Sequence, residues 1–143
     1  MAKVTSSVVI LSLFLVAMDS ATMVLCRPKG VAIWNKMAAN QPPFQVHCRK
    51  MKFDKKEVIP ETSLRSGEGV QWYFNPSFWG TTLYHCWFKW GAKTQDFDVW
   101  YDVLMFHMWS NCYQCEWYVT EEGFSQFEAD TFHSNPIEHY SWK

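Results

Sequence analysis

The sequence predicts an all-β protein, an antiparallel β-sandwich stapled by two disulfides and preceded by a cleaved signal peptide. Three observations predict it. Apolar residues alternate with polar ones at period two through the middle of the chain. Turn residues recur at roughly ten-residue intervals between these runs. The cysteines that follow the leader fall on, or next to, the apolar faces of such runs.

The elements follow in chain order. Residues 8–18 are apolar except for Ser12, with Lys3 upstream as a short positive region. That run is too short for a hydrocarbon core needing about 20 apolar residues, and reads as a secretory signal. Val24 and Cys26 place the cut before Arg27, so that 1–26 is the leader and 27–143 a single domain. "GVAIWN" is the first strand. In "PFQVHCR", Phe44, Val46 and Cys48 share one face, opposite Gln45, His47 and Arg49. The segment 51–61 reads as a long connection that covers part of one face. "VQWYF" aligns Val70, Trp72 and Phe74; "TLYHCWFKW" sets Tyr84, Cys86, Phe88 and Trp90 against Leu83, His85, Trp87 and Lys89. In "DFDVWYDVLMF" the stripe Phe97, Val99, Tyr101, Val103 and Met105 opposes Asp98, Trp100, Asp102 and Leu104. "CEWYV" aligns Cys115, Trp117 and Val119, and the rest of the chain reads as a tail. Turns fall at Ser66-Gly67-Glu68-Gly69, Asn75-Pro76-Ser77, Trp90-Gly91 and Glu122-Gly123.

Removal of the leader leaves Cys48, Cys86, Cys112 and Cys115. In an oxidising compartment thiol pairs default to structural bridges. Zinc would want a second close ligand pair, and His47-Cys48 and His85-Cys86 are adjacent pairs instead. A redox C-x-x-C opens a helix, whereas "CYQC" runs into the strand-like "EWYV". An extended 112–115 segment would hold its cysteines about 10 Å apart, beyond disulfide reach. Each is therefore expected to bridge to Cys48 or Cys86, and the favoured pairing is Cys48–Cys115 with Cys86–Cys112.

Net charge is −1, which argues against a nucleic-acid partner bound by phosphate neutralisation. No second run of spanning length argues for membrane insertion. Charge is uneven, however. Arg49, Lys50, Lys52, Lys55 and Lys56 face a single acid, Asp54, within eight positions, while Lys143 is the only Lys or Arg after Asp96. Such a patch suits an electrostatically steered partner. The chain lacks a nucleophile elbow and a phosphate-cradling Gly-rich loop. Paired carboxylates stand at Asp96/Asp98 and Glu121/Glu122; the first pair shares a strand face and could serve glycoside hydrolysis, but solvated edge acids are far commoner. His107, His133 and His139 match no ligand geometry. No catalytic residue, metal or cofactor is expected. Trp87 and Trp100 fall on outward faces, as covered side chains or as stacking platforms for a carbohydrate. Asn75-Pro76-Ser77 is blocked by its proline, so no N-linked acceptor exists.

A further pattern runs through the same residues. Val31-x-Ile33-x-Asn35, Val46-His47-Cys48, Phe74-Asn75, "FWGTTLYHCWFKW" over 78–90, Phe97-Asp98-Val99-Trp100, Cys112-x-x-Cys115-x-Trp117-x-Val119 and Gly123 stand in fixed order. Together they resemble the plant self-incompatibility S-protein homologues over 31–127. The resemblance implies a small secreted sandwich held by two disulfides, without catalytic residues to carry over; the chain itself is expected to be a monomer. The resemblance also implies a recognition ligand for a cell-surface protein receptor, as in the pollen–pistil recognition of the family's namesakes. Two loops depart from the family. The stretch after "HC" is the basic "RKMKFDKKEVIP", and the loop before "CYQC" is the apolar "LMFHMWSN". Specificity lives in such loops, so the expected partner-binding residues are Arg49, Lys50, Lys52, Lys55 and Lys56, with Phe106, Met108 and Trp109.

Overall fold

In the computed structural model, residues 28–52, 54–77, 79–102, 112–129 and 136–143 are described. The leader expected over 1–26 lies outside them. The alternating runs become nine strands among the described residues: β1 (Lys29–Asn35), β2 (Phe44–Lys50), β3 (Glu57–Leu64), β4 (Gly69–Phe74), β5 (Leu83–Trp90), β6 (Lys93–Tyr101), β7 (Gln114–Val119), β8 (Gly123–Glu128) and β9 (Glu138–Ser141). They form two sheets, ordered β4-β1-β7-β8-β9 and β3-β2-β5-β6. Every pairing is antiparallel except that of β1 with β7, which run parallel.

Three of these strands were not anticipated. β3 carries Pro60 and two register shifts against β2, which break its alternation. It is an edge strand, where a missing backbone donor is tolerated. β8 buries Gln126 beside Phe124, which hides its apolar face from a hydropathy pattern. β9 is short and has the polar sequence EHYS.

The inward residues of both sheets make one core. Val31 and Ile33 of β1, Trp117 and Val119 of β7 and Phe124 of β8 meet Phe44 and Val46 of β2, Phe88 of β5 and Phe97 and Val99 of β6. Each such side chain, fully removed from water, contributes on the order of 1.5–3 kcal/mol. The buried polar atoms tie the sheets together. Trp117 Nε1 donates to Val99 O at 3.1 Å, across the sandwich. Asn35 Nδ2 donates to Leu64 O at 2.8 Å, and its Oδ1 accepts from Met37 N at 2.9 Å. The C-terminal residues close one side. Lys143 and Thr94 exchange both backbone hydrogen bonds, at 2.9 and 3.0 Å, and Gln95 Nε2 donates to Ser141 O at 2.7 Å.

Two expectations are corrected. The bridges are Cys48–Cys86 and Cys112–Cys115, not Cys48–Cys115 and Cys86–Cys112. Cys48 and Cys86 are register partners on adjacent strands, with Cα atoms 4.1 Å apart. Cys115 belongs to the opposite sheet. Cys112 precedes β7, and a bend at Tyr113 brings its Cα to 5.4 Å from that of Cys115. The segment is not extended, so the spacing argument fails there. Trp100 is likewise not an outward platform, being 0% exposed. Tyr84 pairs with Trp100 but His85 with Asp98, which leaves Val99 as the extra residue of a bulge. A bulge resets the alternation, so Val99 and Trp100 both turn inward, and Trp100 Nε1 donates to Cys112 O at 3.1 Å.

Candidate recognition surface

β2 and β3 are joined by a six-residue loop, 51–56, whose base is closed by Lys50 N donating to Lys56 O at 2.8 Å. Lys55 takes a left-handed conformation, φ 40°, an uncommon one for a residue with a Cβ. The five expected basic residues therefore gather at one hairpin tip. Lys50 is half-buried and its Nζ lies 3.2 Å from Asp54 Oδ1. Arg49, Lys52, Lys55 and Lys56 are exposed, and none has an acidic partner within ion-pair distance among the described residues. An exposed cation without a partner is free to steer an incoming acidic surface.

Beside the tip, a cleft of ≈ 420 Å³ opens between the edge strands β3 and β4. Lys50 and Lys56, with the acids Asp54 and Glu57, stand on one side of it, and Trp72, Phe74 and Tyr84 form an aromatic wall. Phe74 packs against Tyr84 at 4.5 Å and against Trp100 at 4.7 Å between ring centroids. Burial, with the nearby Asp54 carboxylate adding to it, pushes the Tyr84 phenol up to about 12. These aromatics read as inward core in the sequence. Only the placement of β3 and β4 as facing edges of the two sheets reveals that they border a cleft.

The outer face of the β3-β2-β5-β6 sheet holds the outward histidines. His85 lies between two carboxylates, with Nδ1 2.7 Å from Asp98 Oδ1 and Nε2 3.0 Å from Asp96 Oδ2. The Asp96/Asp98 pair thus does share a face, but both members turn onto one imidazole rather than across an open cleft. His47 Nε2 sits 3.0 Å from Glu57 Oε1. Trp87, at 36% exposure, stands between the two histidines, 5.4 Å from His47 and 4.5 Å from His85. His139 is paired with Ser125 Oγ at 3.1 Å. Among the described residues, no group of three or more His, Cys, Asp or Glu could hold a metal ion. Nor is any helix of the described residues long and apolar enough to cross a membrane.

Phe106, Met108 and Trp109, and with them His107 and His133, lie outside the described residues. The expected second recognition loop is thus not placed relative to the basic tip.

Comparison with known proteins adds a family-level result. The family model described as plant self-incompatibility protein S1 matches residues 30–142. The chain is similar to S-protein homolog 5 of Arabidopsis thaliana, 28% identical over 83 residues, covering 57% of this chain and 59% of that protein. It is similar to S-protein homolog 2 of the same plant, 27% identical over 99 residues, 68% of this chain and 59% of the relative. A third, S-protein homolog 29, is 28% identical over 83 residues, 58% of this chain and 56% of the relative. The matched stretches thus span less than two thirds of each relative's length. No solved structure matches.

Proposed function

The chain belongs to the plant self-incompatibility protein S1 family, and from that premise we propose that it is a secreted, non-enzymatic recognition ligand for a protein at a cell surface. The observation that carries this reading is the tip of the β2–β3 hairpin. There Arg49, Lys52, Lys55 and Lys56 are exposed without acidic partners among the described residues. A rigid sandwich with a disulfide joining β2 to β5 holds that tip without a large ordering cost on binding. The aromatic wall of the adjoining cleft supplies apolar surface of the kind that anchors interfaces, next to charges that steer encounter.

The test is binding of the fluorescently labelled protein to plant protoplasts. Saturable binding that is removed by protease treatment of the cells, and weakened by salt, is expected. The triple charge reversal Lys52→Glu, Lys55→Glu and Lys56→Glu should lower affinity by about tenfold or more while leaving the urea midpoint unchanged. Protease-resistant binding overturns the protein partner, and unchanged affinity in the triple variant removes the tip from the site.

A further inference from the structure

The outer face of the five-stranded sheet carries a second arrangement, independent of the ligand reading. Its outward residues form three rows across β4, β1 and β7. These are Tyr73–Gly30–Gln114, Gln71–Ala32–Glu116 and Gly69–Trp34–Tyr118. The two short residues, Gly30 and Ala32, both lie on the middle strand. They therefore make the floor of a trough walled by Tyr73 and Gln71 on one side and Gln114 and Glu116 on the other. A recess of ≈ 40 Å³ lies at that position, lined by these same residues.

The glycine is required by the ring beside it. A Cβ on Gly30 would stand 2.9 Å from Tyr73 Cδ1 and 3.0 Å from Cε1, so the Tyr73 ring lies over the glycine. At 58% exposure that ring still presents much of its surface to solvent. Trp34 closes the far end, lying over Gly69 in the same manner. From Gly30, beneath the Tyr73 ring, to Trp34 the strand runs about 13 Å at the usual rise.

The wall chemistry selects an occupant. The side-chain amides of Gln71 and Gln114 have no hydrogen-bond partner among the described residues, and each offers both a donor and an acceptor. Glu116 accepts from Tyr118 Oη at 3.1 Å, with acceptor capacity remaining. The rows themselves hold no lysine or arginine. Glu116 is their one charge, and Lys36 Nζ, over the Tyr118 and Trp34 rings at 4.8 and 5.9 Å, balances it at the far end. The face is therefore near neutral and gathers no cluster of cations for a phosphate, a nucleic acid or an acidic peptide. At ≈ 40 Å³ the recess holds little more than a water molecule, so an occupant lies along the rim formed by the ring and the amides rather than inside it. What fits is a neutral chain with hydroxyls at its edges and a C–H face: amides and carboxylate take the hydroxyls, and the aromatic ring takes the C–H face. We propose that the trough over Gly30 and Ala32 is a binding site for a neutral oligosaccharide chain.

Isothermal titration of the purified, oxidised chain with cellohexaose, xylohexaose and mannohexaose tests this, with polygalacturonate as the charged comparison. Saturable binding of at least one neutral hexasaccharide, insensitive to added sodium chloride, is expected. Tyr73→Ala should weaken it about tenfold or more, and Tyr73→Trp should retain it. Gln71→Ala, at an exposed position, should also weaken it, which guards against an effect of Tyr73 on folding. The charge-reversed hairpin tip should bind these sugars unchanged, which separates this site from the proposed receptor surface. Absence of binding to all three neutral sugars overturns the proposal. So does binding that survives Tyr73→Ala but is lost in Trp87→Ala, or binding confined to polygalacturonate and abolished by salt. Self-association that disappears with Tyr73→Ala would assign the face to a second copy of the chain instead.

Discussion

Gly123 shows what a single position can fix. It opens β8 with φ 148°, where an L side chain is strained, and a Cβ there would run into the backbone carbonyl oxygen of Tyr140. Gly123 pairs with Ser141, so the collision is with the adjoining strand itself. Gly123→Ala should lower the free energy of unfolding by about 3 kcal/mol or more, read as a shift in the urea midpoint. Trp100 makes the complementary point about legibility. Its neighbours alternate correctly up to Asp98, and the bulge at Val99 alone turns it inward. A bulge follows from pairing with β5, a non-local fact that a period-two pattern along β6 does not contain.

At the scale of the element, the strands whose two faces differ strongly were legible, and those with mixed faces were not. β2, β5 and β7 alternate with an apolar stripe on one side and could be read directly. β3, β8 and β9 place proline, glutamine or charged residues where the stripe should be. The disulfides failed for a related reason. Which strand lies beside which is a property of topology, and Cys48 meets Cys86 because β2 and β5 are neighbours. The basic residues of the hairpin tip were found from charge alone, whereas the trough on the opposite sheet needed the registers of β4, β1 and β7 together. The two bridges also predict unequal stabilities. Cys48–Cys86 closes a separation of 38 residues and Cys112–Cys115 one of 3. Replacing the first pair by alanine should cost about 4 kcal/mol, and the second about 2, in the chain-entropy picture. Equal losses in paired urea denaturation curves would refute the loop-length account.

For the molecule as a whole, the raised phenols of Tyr84, which is buried, and Tyr140, which is partly buried, predict an alkaline limit. Tyr84 and Tyr140 are both raised from 10.0 to about 12, by burial first and by nearby carboxylates second. Below pH 10 both are neutral in the folded and the unfolded chain, and stability is complete. Between about 10 and 12 the unfolded chain releases these protons while the folded one retains them, so stability falls as pH rises. The urea midpoint should therefore drop through that window, and Tyr84→Phe with Tyr140→Phe should flatten the drop. A midpoint equally pH-dependent in the double variant would locate the alkaline limit elsewhere.

The parallel pairing of β1 with β7 also orders assembly in time. β2, β5 and β6 can zip together through a nearby hairpin and one modest crossover, all before residue 102. β1 must leave one flank open until a strand from the far end of the chain arrives, because its parallel neighbour cannot be delivered by a tight turn. Closing so distant a contact is entropically slow. On a ribosome, the four-stranded half would be complete while β1 still exposed an unpaired edge. The last quarter of the chain thus acts as the latch that shuts the five-stranded sheet.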